Sequence, residues 1–459
     1  MANDPNTIQY VIQEDGFWYI ASKEKNPYVP ELTVSAKGVA NGLSTEYNDG
    51  YDFGPDSYDP TSTATPPYTQ TSGMQEAWNY SLVNGNGEIV ITTGRFYIYS
   101  PLFLLSDNQV ITIKGSLNDG DFLDSTTNFP IIVNRTSGTV PYVEVGSTSS
   151  VDMAFGLSHI GFLGNASASD GIVTVNVMNF WNNVNTYNFG SKYAVRSMGG
   201  GDLQVFRDCW INGDVSASGN SVFRLDGQDT VPTYTIGTTT ITVSGRPETY
   251  FSAMELAGNK ASYASGTVLL DIADANLFSC SYLHLRNGDT GILDENSYAN
   301  IHNPNLISSL FPENLTTLIT ANGSSESAWI ILPVNANYPL IQTANYSNGN
   351  IVKILPNPVV PLSPSLAANP PVSGTTYQNT NPYTIEIDLP TYATTAGTAG
   401  SVTIYKGSTD SPTAIGYQYV SGDTSSASEQ IITLRVPAGW YYGFTASGVT
   451  LGTASVYGE

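Results

Sequence analysis

Four short segments of the chain share one pattern: an apolar residue, two of any type, a second apolar residue, one of any type, and a third apolar residue. They are Leu157/Ile160/Phe162 in LSHIGF, Phe206/Cys209/Ile211 in FRDCWI, Cys280/Leu283/Leu285 in CSYLHL and Ile301/Pro304/Leu306 in IHNPNL. Their first positions lie 49, 74 and 21 residues apart. Those gaps approximate two, three and one multiples of about 21–25 residues, within the range of solenoid repeats. Each copy precedes a polar, turn-rich patch such as GNASASDG, NGDVSASGN or RNGDTG. A chain built this way gives each coil two or three short strands, with Val, Ile, Leu, Phe, Cys209 and Cys280 pointing inward. Every strand pairs with the coil above and below, so sheet edges are exposed only at the two ends.

Upstream, TSGMQEAWNYSL (71–82) reads as a helix. Ser72 is placed to cap it, and Gln75 follows three residues later as in a capping box. Met74, Ala77, Trp78 and Leu82 share one face. The turn Asn84-Gly85-Asn86-Gly87 ends it, and GEIVITTGRFYIYSPLFLLSDNQVITIKGS continues as short β-rich runs. This order of capped helix, NG-type turn, strand pair and NQVITIKG resembles the start of right-handed parallel β-helices of the pectate-lyase-like superfamily. The resemblance implies an all-β fold: a single-stranded, pectin-lyase-like parallel β-helix with a short N-terminal capping helix.

Composition divides the rest of the chain. Residues 1–72 form a lead-in and attachment region, and 73–350 the expected β-helix. ILPNPVVPLSPSLAANPPVSG in 351–374 carries six prolines and reads as an extended, semi-rigid linker. Residues 375–459 alternate apolar and polar positions (Tyr383, Ile385, Ile387, Leu389; Ile432, Leu434, Val436) between frequent turn signals, as in a small β-sandwich. This stretch, from TYQNTNPYTIEIDLP to LRVPAGWYYGFTASGVTLG, is similar to terminal domains of viral tail-fibre and spike proteins, notably of viruses infecting thermophilic archaea and bacteria.

Charge removes several function classes. The 459 residues include 16 Lys and Arg against 39 Asp and Glu, a net charge of −23. Only 12% are charged, about half the usual share. With no basic run, electrostatic nucleic-acid binding is disfavoured. No apolar run approaches the roughly 20 residues of a membrane helix, so no membrane insertion is expected. The N-terminal MANDPNTIQYVIQEDG has neither a basic nor an apolar leader region, so no secretory signal is read there. Cys209 and Cys280 are the only cysteines, too few for a disulfide framework, and read as small buried apolar residues.

Candidate chemistry comes from three groups of side chains. Asp49, Asp52, Asp56 and Asp59 in YNDGYDFGPDSYD either hold calcium through oxygen ligands or form a solvated loop; no other cofactor is expected. Asp208, Asp226 and Asp229 are the catalytic candidates, an inverting pair being conceivable between Asp208 and Asp226 on neighbouring coils. The alternative for each is a turn carboxylate. Asp271, Asp274, Asp289, Asp294 and Glu295 form further groups of the same kind. Trp440, Tyr441 and Tyr442 are the densest aromatic run and the ligand-binding candidates, either stacking on sugars or alternating into a core. His159, His284 and His302 fall within the repeated pattern, as a possible stack or as ordinary histidines. Six Asn-x-Ser/Thr sequons, at Asn79, Asn134, Asn165, Asn314, Asn322 and Asn345, are open to modification.

The resemblances imply a virion spike or tail-fibre protein at the virion surface or outside the cell. It would serve host attachment as a homotrimer, binding other virion proteins and a host surface glycan or glycoprotein. The alternatives are a polysaccharide lyase or glycosidase on the same scaffold, and a cellular surface adhesin.

Overall fold

A computed structural model describes residues 7–14, 17–24, 31–35, 52–64, 67–85, 87–107, 109–116, 130–137, 141–148, 153–164, 170–189, 192–200, 203–258, 262–296, 305–323, 328–333, 343–346, 351–354, 366, 368–381, 384–394, 399–420 and 429–458. The chain forms two compact units. The first is Met1–Ile307 with Phe311–Ala328 and Asn345–Ile351; the second is Ser308–Leu310, Trp329–Ala344 and Val352–Glu459. Most of the proline-rich segment, 355–365, lies outside the described residues.

The first unit is built from parallel strands in three pairing sets. One set runs through Glu31–Val34, Glu88–Ile91, Val110–Gly115, the first halves of Met153–Leu163 and Val177–Phe189, then Leu203–Arg207, Glu248–Ser252 and Leu277–Cys280. The second runs through Gly94–Ile98, Pro130–Asn134, the second halves of those two long strands, Trp210–Gly213, Met254–Gly258 and the start of Leu283–Asp294. The third takes Leu102–Ser106, Val143–Ser147, Ile172–Val175, Tyr193–Met198, Ser221–Asp226, Val268–Ile272 and the end of Leu283–Asp294.

The long strands belong to two sets at once and so join the sets into one sheet. That sheet contains a closed parallel barrel of eight strands with further strands outside it, and among the described residues 63% are strand and 3% helix. This corrects the expected right-handed pectin-lyase-like β-helix with a capping helix. The physical reason is that the repeat reports inward-facing positions and parallel stacking. Any parallel sheet buried on its faces shows both, so periodicity does not decide how the strands close.

The repeated motif marks the bends where one strand passes into the next set. Leu157 aligns with Trp181, Trp181 with Phe206, Phe206 with Phe251 and Phe251 with Cys280. Ile211, Leu256 and Leu285 align in the same way. Two further copies lie at Trp181/Val184/Thr186, where threonine takes the third place, and at Phe251/Met254/Leu256, which has the same spacing as the others. The fourth copy is corrected: Ile301 and Pro304 lie outside the described residues, and the buried Ile307, not Ile301, aligns with Cys280.

At four of these bends a non-glycine residue takes the left-handed conformation: His159, Asn183, Asp208 and Ala253, with φ of 56°, 53°, 51° and 51°. That conformation costs about 1–2 kcal/mol. Each bend also buries two or three large apolar side chains at about 1.5–3 kcal/mol apiece, so burial outweighs it. Inside, Trp181, Phe206, Phe251 and Phe278 form an edge-to-face series with ring centroids 5.1, 5.5 and 5.0 Å apart.

The helix spans Met74–Asn84 and packs against Glu31–Val34, Glu88–Ile91 and Leu102–Ser106. It buries Met74, Ala77 and Trp78, and Gly85 closes it at φ 71°. The expected capping box does not form. Gly73 is the N-cap, and a Cβ there would lie 2.6 Å from the backbone N of Gly54, which accounts for glycine at this position. Ser72 instead donates to Tyr97 O at 2.8 Å, and Gln75 exchanges two hydrogen bonds with the backbone of Phe103.

In the second unit, two antiparallel sheets share one apolar core. Thr376–Gln378, Tyr441–Ser447, Gly400–Gly407 and Thr413–Val420 form one sheet. Glu429–Val436, Ile385–Ala393 and Val449–Leu451 form the other, with Ser455–Gly458 paired to Ile385–Ala393. Ile385, Ile387 and Leu389 face Val402, Tyr442 and Phe444 in that core, with Ile432, Leu434 and Val436 beside them. Among the described residues no helix is long and apolar enough to cross a membrane.

Candidate functional site

A groove of about 890 Å³ opens beside the helix in the first unit. That volume lies within the range of small-ligand sites. Helical spacing brings Gln75, Glu76, Asn79, Tyr80 and Val83 to its wall. Tyr58, Asp59, Pro60 and Thr61 also line it, with Thr7, Ile8, Gln9, Ser100, Pro101 and Phe103. The loop of Tyr58 and Asp59 is held by backbone bonds from Val11 N to Asp56 O (2.8 Å) and from Ser35 N to Phe53 O (2.9 Å). Phe53 meets Tyr80 edge to face with centroids 5.8 Å apart.

Glu76 is the chemically distinctive group. Its Oε2 accepts hydrogen bonds from the hydroxyls of Thr69 (2.8 Å) and Thr71 (3.0 Å). Burial pushes its carboxyl up to about 7; those hydroxyls and a backbone hydrogen bond pull it down, and the like charge of Asp59 adds to the rise. The sequence contains the signal for this arrangement, a T-x-T pair shortly before a first-turn glutamate. Amphipathicity alone treats Glu76 as a solvated helix residue.

Three of the four calcium candidates lie among the described residues. Asp52 accepts from Thr33 N and Thr33 Oγ1, both at 3.0 Å. Asp59 accepts from Thr61 N (2.9 Å) and Thr61 Oγ1 (2.7 Å) and lines the groove. Asp56 is half-buried, and Asp49 lies outside the described residues. Among the described residues no group of three or more acidic, His or Cys side chains is arranged to hold a metal.

A second charged assembly lies along the third pairing set, where Glu144, Val173, Arg196, Arg224 and Asp271 align in register. Asp226, fully buried, pairs with Arg196 at 2.7 Å and Arg224 at 3.0 Å. Arg224 also reaches Asp271 at 2.6 Å. Arg196 and Arg224 sit over the Tyr193 ring, 5.1 and 5.4 Å from its centroid. Arg246 joins Asp229 to buried Asp274, the latter at 2.7 Å. Nearby, burial pushes the Glu144 carboxyl up to about 7 against the pull of the Tyr234 hydroxyl, which donates to it at 2.8 Å. The hairpin Thr233–Ile236/Thr239–Thr242 carries that tyrosine and packs Ile236 and Ile241 on Val173, Val175 and Met198.

These contacts locate the three catalytic candidates. Asp208 is an exposed bend residue between the first and second sets. Asp226 is enclosed by arginines at the end of a third-set strand, and Asp229 pairs with Arg246. The structure ties Asp226 to Asp271 through Arg224, and Asp229 to Asp274 through Arg246; it does not set Asp208 against Asp226.

The aromatic run alternates. Tyr442 is core, 5.7 Å from Tyr377 between centroids, and burial pushes its phenol up to about 12. Trp440 and Tyr441 are half-buried. His159 occupies a bend, His284 lies between Glu255 and Glu313 at 3.2 Å from each, and His302 is outside the described residues. Cys209 and Cys280 are free and buried, and burial pushes both thiols up to about 12. The Asn134 sequon is buried, its side chain accepting from Thr136.

No protein-family model matches the chain, and no curated protein matches it. These comparisons give no support to the viral tail-fibre and spike relationship read from the C-terminal sequence.

Proposed function

We propose that the protein binds polysaccharide in the groove beside the helix, in a surface-attachment role. The observation that carries this reading is the groove's lining. Tyr58, Tyr80 and Phe103 supply rings, while Gln75, Asn79, Thr61 and Glu76 supply hydrogen-bonding groups along one opening of about 890 Å³. Sugars need both: flat apolar faces for their C–H surfaces and paired donors and acceptors for their hydroxyls. Binding is favoured over cleavage by the aspartates, since Asp226 and Asp274 are consumed by arginines and Asp208 stands apart at a bend.

The test is affinity electrophoresis of the full chain through gels containing mannan, xylan or β-glucan, with released reducing ends assayed in parallel. Retardation by at least one polysaccharide is expected, weakened about tenfold or more in Tyr80→Ala, for loss of one stacked ring. Unretarded wild type on every gel, or Tyr80→Ala migrating like wild type, contradicts the proposal. Release of reducing ends replaces it with a hydrolase.

A further inference from the structure

We propose that Glu76 is the groove's hydrogen-bond donor to the sugar, so that ionisation of this one carboxyl releases the ligand. The inference rests on the polysaccharide-binding reading and specifies what controls that same site. Its basis is the way the carboxyl is held. The Thr69 and Thr71 hydroxyls converge on a single oxygen, Oε2, at 2.8 and 3.0 Å. They stand 2.9 Å from each other, and Thr71 N donates to Thr69 Oγ1 at 3.0 Å, which fixes both. Oε2 is thereby committed as an acceptor. Glu76 itself lines the groove, and the proposal gives the donor role in the neutral acid to its other oxygen, Oε1.

A sugar chain presents ring and glycosidic oxygens that only accept hydrogen bonds. A neutral carboxyl donates to them; a carboxylate has no proton to give and must be stripped of water as the ligand seats. The surroundings favour the neutral form. The titratable groups facing Glu76 across the groove are Asp59 and the phenols of Tyr58 and Tyr80, and among the described residues no Lys, Arg or His lines it. Gln9, Gln70, Gln75 and Asn79, also on the wall, are uncharged amides. Burial accordingly holds the proton to about pH 7.

The experiment titrates the full chain with the polysaccharide that retards it, mannan, xylan or β-glucan, between about pH 5 and pH 9. Circular dichroism at each pH confirms that the chain stays folded. Wild-type affinity should be level on the acid side and fall by about tenfold per pH unit above about pH 7, the limit for one proton. Glu76→Gln keeps an N–H donor and does not ionise, so its affinity should change by less than about threefold across the range. Glu76→Ala should bind about tenfold or more weakly than wild type at pH 5, and its affinity should change little with pH. A level wild-type profile, or the same fall in Glu76→Gln as in wild type, overturns the role of Glu76 and leaves the binding reading standing. No retention by any of the three polysaccharides at pH 5 overturns the binding reading itself.

Discussion

Glu76 and Asp226 are both carboxylates withdrawn from water, and their neighbours give them opposite uses. Asp226 is met by two guanidinium groups. Its charge is matched in place, its oxygens are occupied, and nothing remains for a ligand. Glu76 has only hydroxyl and backbone partners and a like charge nearby, so burial drives it toward the neutral acid, and it lines the groove. Glu144 belongs with Glu76 by its hold on a proton but with Asp226 by its use, since Tyr234 takes its oxygen to hold a hairpin in place. The lesson is that burial alone does not mark a site. A buried carboxyl without a cation, facing open space, does.

The largest effect that sharpens this contrast is expected from Asp226→Ala. It leaves Arg196 and Arg224 without their shared partner, and uncompensated buried charge costs about 3–5 kcal/mol. Urea unfolding followed by tryptophan fluorescence should show that loss; a change under about 1 kcal/mol would mean that solvent already screens the array.

Next is the dependence of stability on pH. Glu76 and Glu144 both rise from 4.5 to about 7 on folding. A folded-state value above the unfolded one contributes stability that is fully present below about pH 4.5 and lost as pH rises through about 7. Each tenfold gain in proton affinity on folding corresponds to about 1.4 kcal/mol, so each group accounts for a few kcal/mol at most. Glu144→Gln and Glu76→Gln should each flatten the decline between pH 5 and 8 measured by urea midpoints. If neither does, these carboxyls are not held neutral.

Smaller again is Tyr234→Phe. It removes one hydrogen bond to Glu144 and should cost about 1 kcal/mol in the same assay, with protease cleavage within 233–242 rising as the hairpin loosens. An unchanged cleavage rate would detach Glu144 from the hairpin's anchoring. Smallest is Asp229→Asn, because Asp229 is half-exposed in its pair with Arg246. A cost of about 0–1 kcal/mol is expected, and a loss as large as that of Asp226→Ala would erase the distinction between the two ion pairs.

What the sequence revealed, and what it hid, follows the same division. Inward positions at Leu157, Ile160, Phe206, Cys209, Cys280 and Leu283 were legible because burial of apolar residues is a local, periodic signal. The copy at Trp181/Val184/Thr186 was masked by a threonine in the third place, whereas Phe251/Met254/Leu256 carries the full pattern at the same spacing and was overlooked. The fourth copy was placed six residues too early, since Ile307 and not Ile301 takes the position of Cys280. Closure of the sheet was not legible, because parallel stacking leaves the same periodic trace however the strands join. The candidate site was least legible of all. Glu76 was passed over because its meaning comes from Thr69, Thr71 and Asp59 converging in space. Asp226 and Asp229 drew attention by proximity to Arg224 in sequence, and arginine contacts turned out to be what closes them off.

The measurement that tests the central claim most directly is a pH titration of the Glu76 carboxyl itself. The full chain, with carbon-13 placed in its glutamate carboxyls, is followed by infrared difference spectroscopy or NMR, and Glu76→Gln assigns the signal. A midpoint near 7 that moves upward when the retarding polysaccharide is added is the predicted result. A midpoint near 4.5, unmoved by polysaccharide, would contradict the account.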